Sequence, residues 1–320
     1  MKLNEMKKNA VDQLNKSGLP TAELDADCLL QFLLDKDKTY ILMNSDLELT
    51  EEQVKLFDSY IEQRKTGLPI AYITHKKEFY GTEFYVDENV LIPKPDTEIL
   101  VEEAVKSIIK FSQKDKDRTF VIRIADVCTG SGCIAISIVK DVLLKTDNVQ
   151  FEVVMTDLSL EALNVARKNI YDILDASTTI LCEAGIVQSG DHRAMIKLIN
   201  GDLLCFQKGF DFVFSNPPYV PHKMVEELLT DGRSEPVMAL DGDIDFYDGK
   251  EIKSDDGLCL IKRLIPEAYK SLNKGGMFFM ESGEYQTENV RKLFYDCGFK
   301  NIATVKDLEG QERVTFGGKE

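Results

Sequence analysis

The chain has 320 residues, of which 43% are hydrophobic and 29% are charged, as in an ordinary globular protein long enough for two domains. Its formal net charge of −16 weighs against duplex nucleic acid as the main substrate, because an acidic surface repels a phosphate backbone. No apolar run approaches the roughly 18 residues of a membrane-spanning helix, and the first residues lack the apolar core of a signal peptide. We therefore expect a cytoplasmic protein without a membrane partner.

Cysteine and histidine usage argues against a disulfide framework and a metal centre. The seven cysteines are odd in number and none forms a CxxC pair, which is typical of reduced thiols. The three histidines do not have the spacing of a metal-ligand pair. We predict no metal site.

The first 72 residues are predicted to form a small helical domain. Apolar residues recur at helical spacing over 22–34, and Thr50 opens a further helix with the pattern of a capping box. Gly67 ends that helix. Residues 73–93 are predicted as a β-hairpin linker, because two aromatic, β-prone segments are separated by Gly81-Thr82.

Residues 94–320 are predicted to form an α/β domain. A helix is expected from Asp96 to about Lys110, and from Phe120 onward strand and helix patterns alternate. Such alternation predicts a parallel sheet with helices on both faces, and these sheets bind ligands at the carboxyl ends of their strands.

Two segments, 175–195 and 241–256, are interpreted as insertions. The second is rich in acidic residues and could suggest a calcium loop. An EF-hand requires Gly at its sixth position and Glu at its twelfth, where this segment has Phe246 and Ile252. A solvated loop is the favoured interpretation.

Three strand ends carry features of a nucleoside site. Gly130 and Gly132 lie in a strand-to-helix turn whose backbone N–H groups could meet a ligand, although a purely structural turn is also possible. Asp157 could accept hydrogen bonds from ribose hydroxyls, or it could cap the helix that begins at Leu160. Asp202 could accept an adenine amino group, or it could be a simple turn residue.

A fourth strand ends in FSNPPYVP. The side-chain oxygen of Asn216 and the carbonyl of Pro217 form a pair of acceptors suited to one planar NH₂ group. Tyr219 offers a ring face against which such a group could pack. The structural alternative, a stiff turn after a strand, explains less of this uncommon sequence.

In this order the motifs resemble those of class I S-adenosylmethionine-dependent methyltransferases that modify planar amide or amino nitrogens. The flanking segments LIPKPDTE, GRSEPVMAL, GEYQ and KDLEGQERV resemble the HemK/PrmC family. The resemblance implies a Rossmann-like, seven-stranded class I methyltransferase domain preceded by a helical substrate-recognition domain. It also implies methylation of N5 of the glutamine in the Gly-Gly-Gln motif of peptide chain release factors, with S-adenosyl-L-homocysteine as the cofactor product.

The motifs and the resemblance together predict the site residues. Catalytic roles are predicted for Asn216, Pro217 and Tyr219. The predicted cofactor-binding residues are Asp126, Cys128, Thr129, Gly130, Ser131, Gly132, Asp157, Leu158, Asp202, Leu203 and Asn216. The predicted substrate-binding residues are Ile92, Pro93, Asn216, Pro217, Pro218 and Tyr219.

The sequence departs from the family pattern at Cys128, where glycine is usual, and at Lys94, where arginine is common. Three other functions stay open. One is glutamine methylation of a ribosomal protein, another is adenine N6 methylation in a nucleic acid after base flipping, and the third is non-catalytic protein binding. We expect a monomer that meets release factors transiently and has no stable nucleic-acid partner.

Overall fold

The computed structural model describes residues 1–115, 118–174, 193–230, 234–245, 250–251 and 255–320, together with the strand 186–188. The chain divides into two compact units. One comprises residues 1–76 and 227–234, and the other comprises residues 77–226 and 235–320. Of the two predicted insertions, residues 175–185, 189–192, 246–249 and 252–254 lie outside the described residues.

The smaller unit is helical, as predicted. Its first five helices are α1 (Leu3–Lys16), α2 (Ala22–Leu34), α3 (Lys38–Met43), α4 (Glu51–Lys65) and α5 (Ile70–Thr74). Helix α4 begins at the predicted capping box, in which the Thr50 hydroxyl accepts from the Gln53 backbone and the Gln53 side chain accepts from the Thr50 backbone. The apolar faces of these helices form one core of their own, which includes Leu14, Leu29 and Phe57.

The predicted β-hairpin is present, with β1 (Lys76–Phe79) and β2 (Thr82–Tyr85). Its turn is one residue earlier than predicted: Tyr80 and Gly81 both have positive φ, and Thr82 belongs to the second strand. Positive φ at both central residues is the geometry of a tight hairpin turn, in which glycine is favoured at the second position. Phe79 and Phe84 are buried in the core of the larger unit.

The larger unit has the predicted α/β fold, built on one sheet whose strand order is β11-β12-β10-β7-β3-β4-β6-β5. The strands are β3 (Phe120–Val127), β4 (Val149–Asp157), β5 (Ile186–Gln188), β6 (Ala194–Asn200), β7 (Phe210–Ser215), β10 (Leu272–Glu281), β11 (Lys300–Lys306) and β12 (Glu312–Gly318). Strands β10, β7, β3, β4 and β6 are mutually parallel. The fold class is confirmed, and β5, from the segment predicted as an insertion, adds a short antiparallel strand to the seven that the fold requires.

Helices connect these strands. They are α6 (Glu98–Ser112), α7 (Cys133–Lys145), α8 (Leu160–Leu174), α9 (His222–Thr230), α10 (Val237–Leu240), α11 (Cys259–Ser271) and α12 (Thr287–Cys297). A further two-stranded ribbon is formed by β8 (Ile244–Asp245) and β9 (Lys250–Glu251). Within the described ranges, every helix is too short or too polar to cross a lipid bilayer.

The register of the central strands brings their carboxyl ends together. Val127 at the end of β3 pairs with Thr156 of β4 on one side and with Ser215 of β7 on the other. The chain proceeds from β3 outward to β4 and β6, then returns to β7 on the opposite side. Such a reversal of strand order opens a crevice at the carboxyl edge of the sheet, where ligands bind.

Candidate active site

A cavity of about 270 Å³ opens at this edge, within the larger unit. Its walls come from the turn after β3, the ends of β4 and β6, the NPPY segment and helix α11. Among the predicted site residues, the cavity is lined by Pro93, Cys128, Thr129, Gly130, Ser131, Asp157, Leu158, Asp202, Leu203, Asn216 and Pro218. The other predicted residues, Ile92, Asp126, Gly132, Pro217 and Tyr219, do not line it.

The two glycines of the turn after β3 have different roles. Both have positive φ, which glycine adopts at little cost. A Cβ atom on Gly130 would meet no atom within 4 Å, so this residue keeps the cavity wall open. A Cβ atom on Gly132 would lie 2.8 Å from Cε of Met155 and 2.9 Å from Cδ1 of Ile136, so Gly132 permits the turn to pack closely on β4.

Asp126 supports the turn from inside the protein. Its side chain is fully buried, and Oδ2 accepts from the Thr129 hydroxyl at 2.6 Å and from the backbone N–H of Ala135 at 3.3 Å. Burial raises the pKa of this carboxyl to about 7. The structure therefore places Asp126 behind the turn, where it fixes the backbone that faces the cavity.

Asp157 joins the end of β4 to the glycine turn. Its Oδ2 accepts from the backbone N–H of Gly130 at 2.9 Å, and Oδ1 accepts from that of Ser159 at 2.9 Å. The hydroxyl of Ser159 accepts from the backbone N–H of Ala162 at 3.1 Å, which is the bond of a helix N-cap. The alternative in which Asp157 caps α8 is therefore wrong, because Ser159 occupies that position. Burial raises the pKa of Asp157, while bonds from backbone N–H groups partly offset the effect.

Asp202 lines the cavity and forms an ion pair with Arg263 of α11. Arg263 was not predicted as a site residue, although it also lines the cavity, because nothing in its helical pattern distinguishes it from a solvated cation.

Cys128, in the turn after β3, has a φ of 59°, in the left-handed region that favours glycine. Burial raises the pKa of its thiol well above the usual range, so the thiol that lines the cavity is neutral.

The NPPY segment is held by groups from distant parts of the chain. The side-chain NH₂ of Asn216 donates to the Thr97 hydroxyl at 3.1 Å, which leaves the side-chain oxygen as the group that can accept from a ligand. The Tyr219 hydroxyl donates to Oε1 of Glu281 at 3.2 Å, and the Tyr219 carbonyl accepts from the Gln286 side chain at 2.9 Å. These contacts fix both ends of the segment.

A second set of contacts fixes the residues after Tyr219. Nδ1 of His222 lies 2.6 Å from Oδ2 of Asp241. Oδ2 of Asp243 accepts from the backbone N–H of His222 at 3.3 Å and from that of Gly257 at 2.9 Å. A Cβ atom on Gly257 would collide with the Tyr219 carbonyl, so glycine is required at this close approach.

Among the described residues, Asp243, Asp256 and Cys259 form one group whose ligand atoms lie within 4.8 Å of one another, as metal ligands would. Backbone bonds to Asp243 and an ion pair of 2.8 Å between Asp256 and Lys262 account for the positions of these carboxylates.

Several supporting residues lie in the sequence segments that resemble the family, although no role was predicted for them. Thr97 belongs to the LIPKPDTE segment and Gln286 to GEYQ, but their contacts with Asn216 and Tyr219 are visible only in the fold. Lys94 donates to Oε1 of Glu235 at 2.6 Å, joining two segments that border the cavity.

A doubly wound sheet with a glycine turn, acidic strand ends and an NPPY segment around one cavity has the features of a class I methyltransferase. Residues 5–74 match the family described as the PrmC N-terminal domain. A release factor glutamine methyltransferase of Clostridium acetobutylicum is 34% identical over 297 residues, covering 91% of this chain and 90% of that protein. Another from Leptospira interrogans is 32% identical and covers 97% and 95%, respectively.

A bifunctional methyltransferase of Rickettsia felis is 32% identical and covers 98% of this chain but 57% of the longer protein. The agreement over nearly the whole length of the shorter relatives decides the assignment. The chain belongs to the release factor glutamine methyltransferase family and is an enzyme of the methyltransferase class. The resemblance inferred from the motifs is confirmed.

Proposed function

We propose that this protein transfers a methyl group from S-adenosylmethionine to N5 of the glutamine in the Gly-Gly-Gln motif of peptide chain release factors. The observation that carries the proposal is the fixed orientation of Asn216, whose NH₂ group is bound by Thr97 and whose oxygen stays available in the cavity wall. A neutral acceptor paired with the Pro217 carbonyl suits a primary amide, which presents two N–H donors in one plane.

The residues of the glycine turn fit a nucleoside cofactor. The Asp157 carboxylate lines the cavity, and the open side of Gly130 leaves room for a ligand against the backbone. In this proposal Asp157 accepts from the ribose hydroxyls, and Asp202 with Leu203 borders the adenine. When bound, S-adenosylmethionine supplies an electrophilic methyl group on a sulfonium and leaves as S-adenosyl-L-homocysteine.

An amide nitrogen is a weak nucleophile because its lone pair is delocalised. Asn216 and the Pro217 carbonyl would accept both N–H groups, which fixes the nitrogen and directs its lone pair along the line of transfer. The nitrogen would form the new bond to the methyl carbon, with the electron pair of the broken bond left on the departing S-adenosyl-L-homocysteine and the surplus proton released to solvent. Positioning and exclusion of water supply most of the acceleration in this scheme.

The test is transfer of labelled methyl groups to separate acceptors. These are a release factor, the same factor with the motif glutamine changed to alanine, a ribosomal protein substrate of glutamine methylation, and unmethylated DNA. Label on the intact factor alone supports the proposal. Label on the ribosomal protein or on DNA would favour the corresponding alternative, and label on the alanine factor would place the modification elsewhere.

A variant separates chemistry from cofactor binding in the same assay. Asn216→Ala should lower turnover about 100-fold or more, because one of the two amide acceptors is lost. Calorimetry should show nearly unchanged affinity for S-adenosylmethionine. Equal loss of turnover and affinity would contradict the assigned role of Asn216.

The remaining proposals concern the whole protein. We propose that residues 1–72 recognise the release factor, with 73–93 as the hairpin linker and 94–320 as the catalytic domain. The protein would act as a cytoplasmic monomer, and light scattering with and without the factor tests its oligomeric state. The net charge of −16 supports a protein partner over a nucleic acid.

A further inference from the structure

A buried carboxyl group lies directly behind the NPPY segment. Glu281 is the last residue of β10, and Met280 before it pairs in parallel register with Ser215, the last residue of β7. Glu281 and Asn216, the next residue along each chain segment, therefore occupy equivalent positions at the carboxyl ends of two neighbouring strands. The side chain of Glu281 is only 1% exposed, yet the proposed methyl transfer assigns it no step.

Glu281 contacts both functional side chains of the segment, one directly and one through Thr97. Its Oε1 accepts from the Tyr219 hydroxyl at 3.2 Å. The Thr97 hydroxyl accepts from the Asn216 NH₂ group at 3.1 Å. A hydrogen bond from Thr97 is also among the effects that lower the pKa of Glu281. Since a hydroxyl has one proton, donating it to Glu281 commits the Thr97 oxygen to accepting from Asn216.

We propose that Glu281 is a positioning residue for methyl transfer, whose carboxylate orients Tyr219 directly and Asn216 through Thr97 so that the Asn216 oxygen faces the substrate amide. This inference rests on the proposed function. A carboxylate suits the role because it can only accept hydrogen bonds, and it therefore sets the direction of each bond in the chain from Glu281 to Asn216.

The cost of burying Glu281 supports a functional reason for it. Among the described residues, Oε2 has no hydrogen-bond partner, and none of the ion pairs found there includes this carboxyl. Arg313 acts electrostatically on Glu281 but is paired with other carboxylates, since its Nη2 lies 3.0 Å from Asp307 and 3.4 Å from Asp96. An isolated buried charge is expensive, so stability alone would favour an apolar or amide side chain here.

Four groups from different elements act electrostatically on Glu281. Tyr219 follows β7, Arg313 is in β12, Asp96 precedes α6, and Cys133 begins α7. Burial, the largest effect, raises the pKa of Glu281 to about 7, while Thr97, Arg313 and Tyr219 partly offset it. A protonated Glu281 would become a donor and would disturb the bond to Thr97. Turnover should therefore fall as the pH falls through about 7.

The test compares kcat with cofactor affinity in the full-length protein, using a release factor and saturating S-adenosylmethionine. Glu281→Gln should lower kcat about 10- to 100-fold, because an amide no longer dictates the direction of the Thr97 bond. The Kd for S-adenosylmethionine should change less than about 3-fold, and the decline of kcat through neutral pH should be absent.

Variants of Thr97 test the same chain of hydrogen bonds if the Glu281 variant folds poorly. Thr97→Val should lower kcat to a similar extent, and Thr97→Ser, which keeps the hydroxyl, should retain most of it. The double variant of Thr97→Val and Glu281→Gln should lose little more than either single variant, since both break one chain of bonds.

Ser282→Ala is the matched control. Ser282 is the next residue, is equally buried, and its hydroxyl has no hydrogen-bond partner among the described residues, so kcat should not change. A folded Glu281→Gln or Thr97→Val variant with the kcat and pH profile of the original protein would overturn the inference. Absence of methyl transfer by the original protein would instead overturn the proposed function.

Discussion

Asp126 should make stability depend on pH in the neutral range, in the direction opposite to that of a salt-bridged carboxylate. Burial raises its pKa in the folded protein to about 7, against 3.8 for the ordinary side chain. The folded state therefore holds a proton that the unfolded state releases. The contribution to stability is fully present below about pH 3.8 and is lost as the pH rises to about 7.

The size of the effect follows from the shift. A difference of about three pKa units corresponds to about 4 kcal/mol over the whole range, and about 2 kcal/mol of this falls between pH 5.5 and pH 8. Asp126→Asn cannot ionise, and its oxygen can still accept from Thr129 and Ala135. Its NH₂ group would replace Oδ1, which has no partner among the described residues, at a cost of roughly 1–3 kcal/mol.

We therefore expect the variant to differ chiefly in the slope of stability against pH. Urea unfolding of the cofactor-free protein, followed by circular dichroism, would give the free energy of unfolding at both pH values. The original protein should lose about 2 kcal/mol more than Asp126→Asn on going from pH 5.5 to pH 8. Glu281 contributes equally to both proteins and cancels in the comparison.

Asp296→Asn controls for the loss of one negative charge, because Asp296 lies exposed on α12. This control should keep the pH slope of the original protein. Equal slopes for the original protein and Asp126→Asn would refute the reasoning, since they would show that Asp126 has nearly the same pKa in the folded and unfolded states.

Two further variants test residues that line the proposed cofactor-binding part of the cavity. Asp157→Ala should weaken binding of S-adenosylmethionine about 10-fold or more, because it would remove the proposed ribose acceptors together with the bond to Gly130. An unchanged Kd in calorimetry would restrict Asp157 to a structural role. Cys128→Gly should stabilise the protein by up to about 1 kcal/mol, because the φ of 59° suits glycine. A lower melting temperature for this variant would show that packing of the thiol outweighs the backbone strain.

The fold could be predicted from the sequence because its signals are local. Alternating strand and helix patterns over residues 120–281 were enough to predict a parallel sheet and a site at its carboxyl edge. Gly130, Asp157 and Asp202 all line the cavity found there. The strand 186–188 was not predicted, since three residues within a polar segment carry little periodicity.

The supporting residues of the site could not be predicted, because their contacts join distant segments. Thr97 and Asn216 are 119 positions apart, and Tyr219 and Glu281 are 62 apart. In the sequence, Glu281 ends an apolar run and resembles any solvated residue after a strand. Only the packing of β10 beside β7 shows that its carboxyl group is buried against the NPPY segment.

The acidic segment 241–256, predicted as an insertion, is bonded near both of its ends to residues around the NPPY segment. Asp243 is the third residue of the acidic segment 241–256, and its carboxylate accepts from the backbone N–H of Gly257, which directly follows that segment. The cost of closing a loop rises only slowly with its length, so a longer connection adds little once its two ends are bonded to each other. Gly257 contacts Tyr219, and Gln286 binds both the Tyr219 carbonyl and the carbonyl of Asp256. We therefore expect these bonded ends to set the geometry around Tyr219, so that the length of the chain between them can vary without moving the proposed methyl-acceptor site.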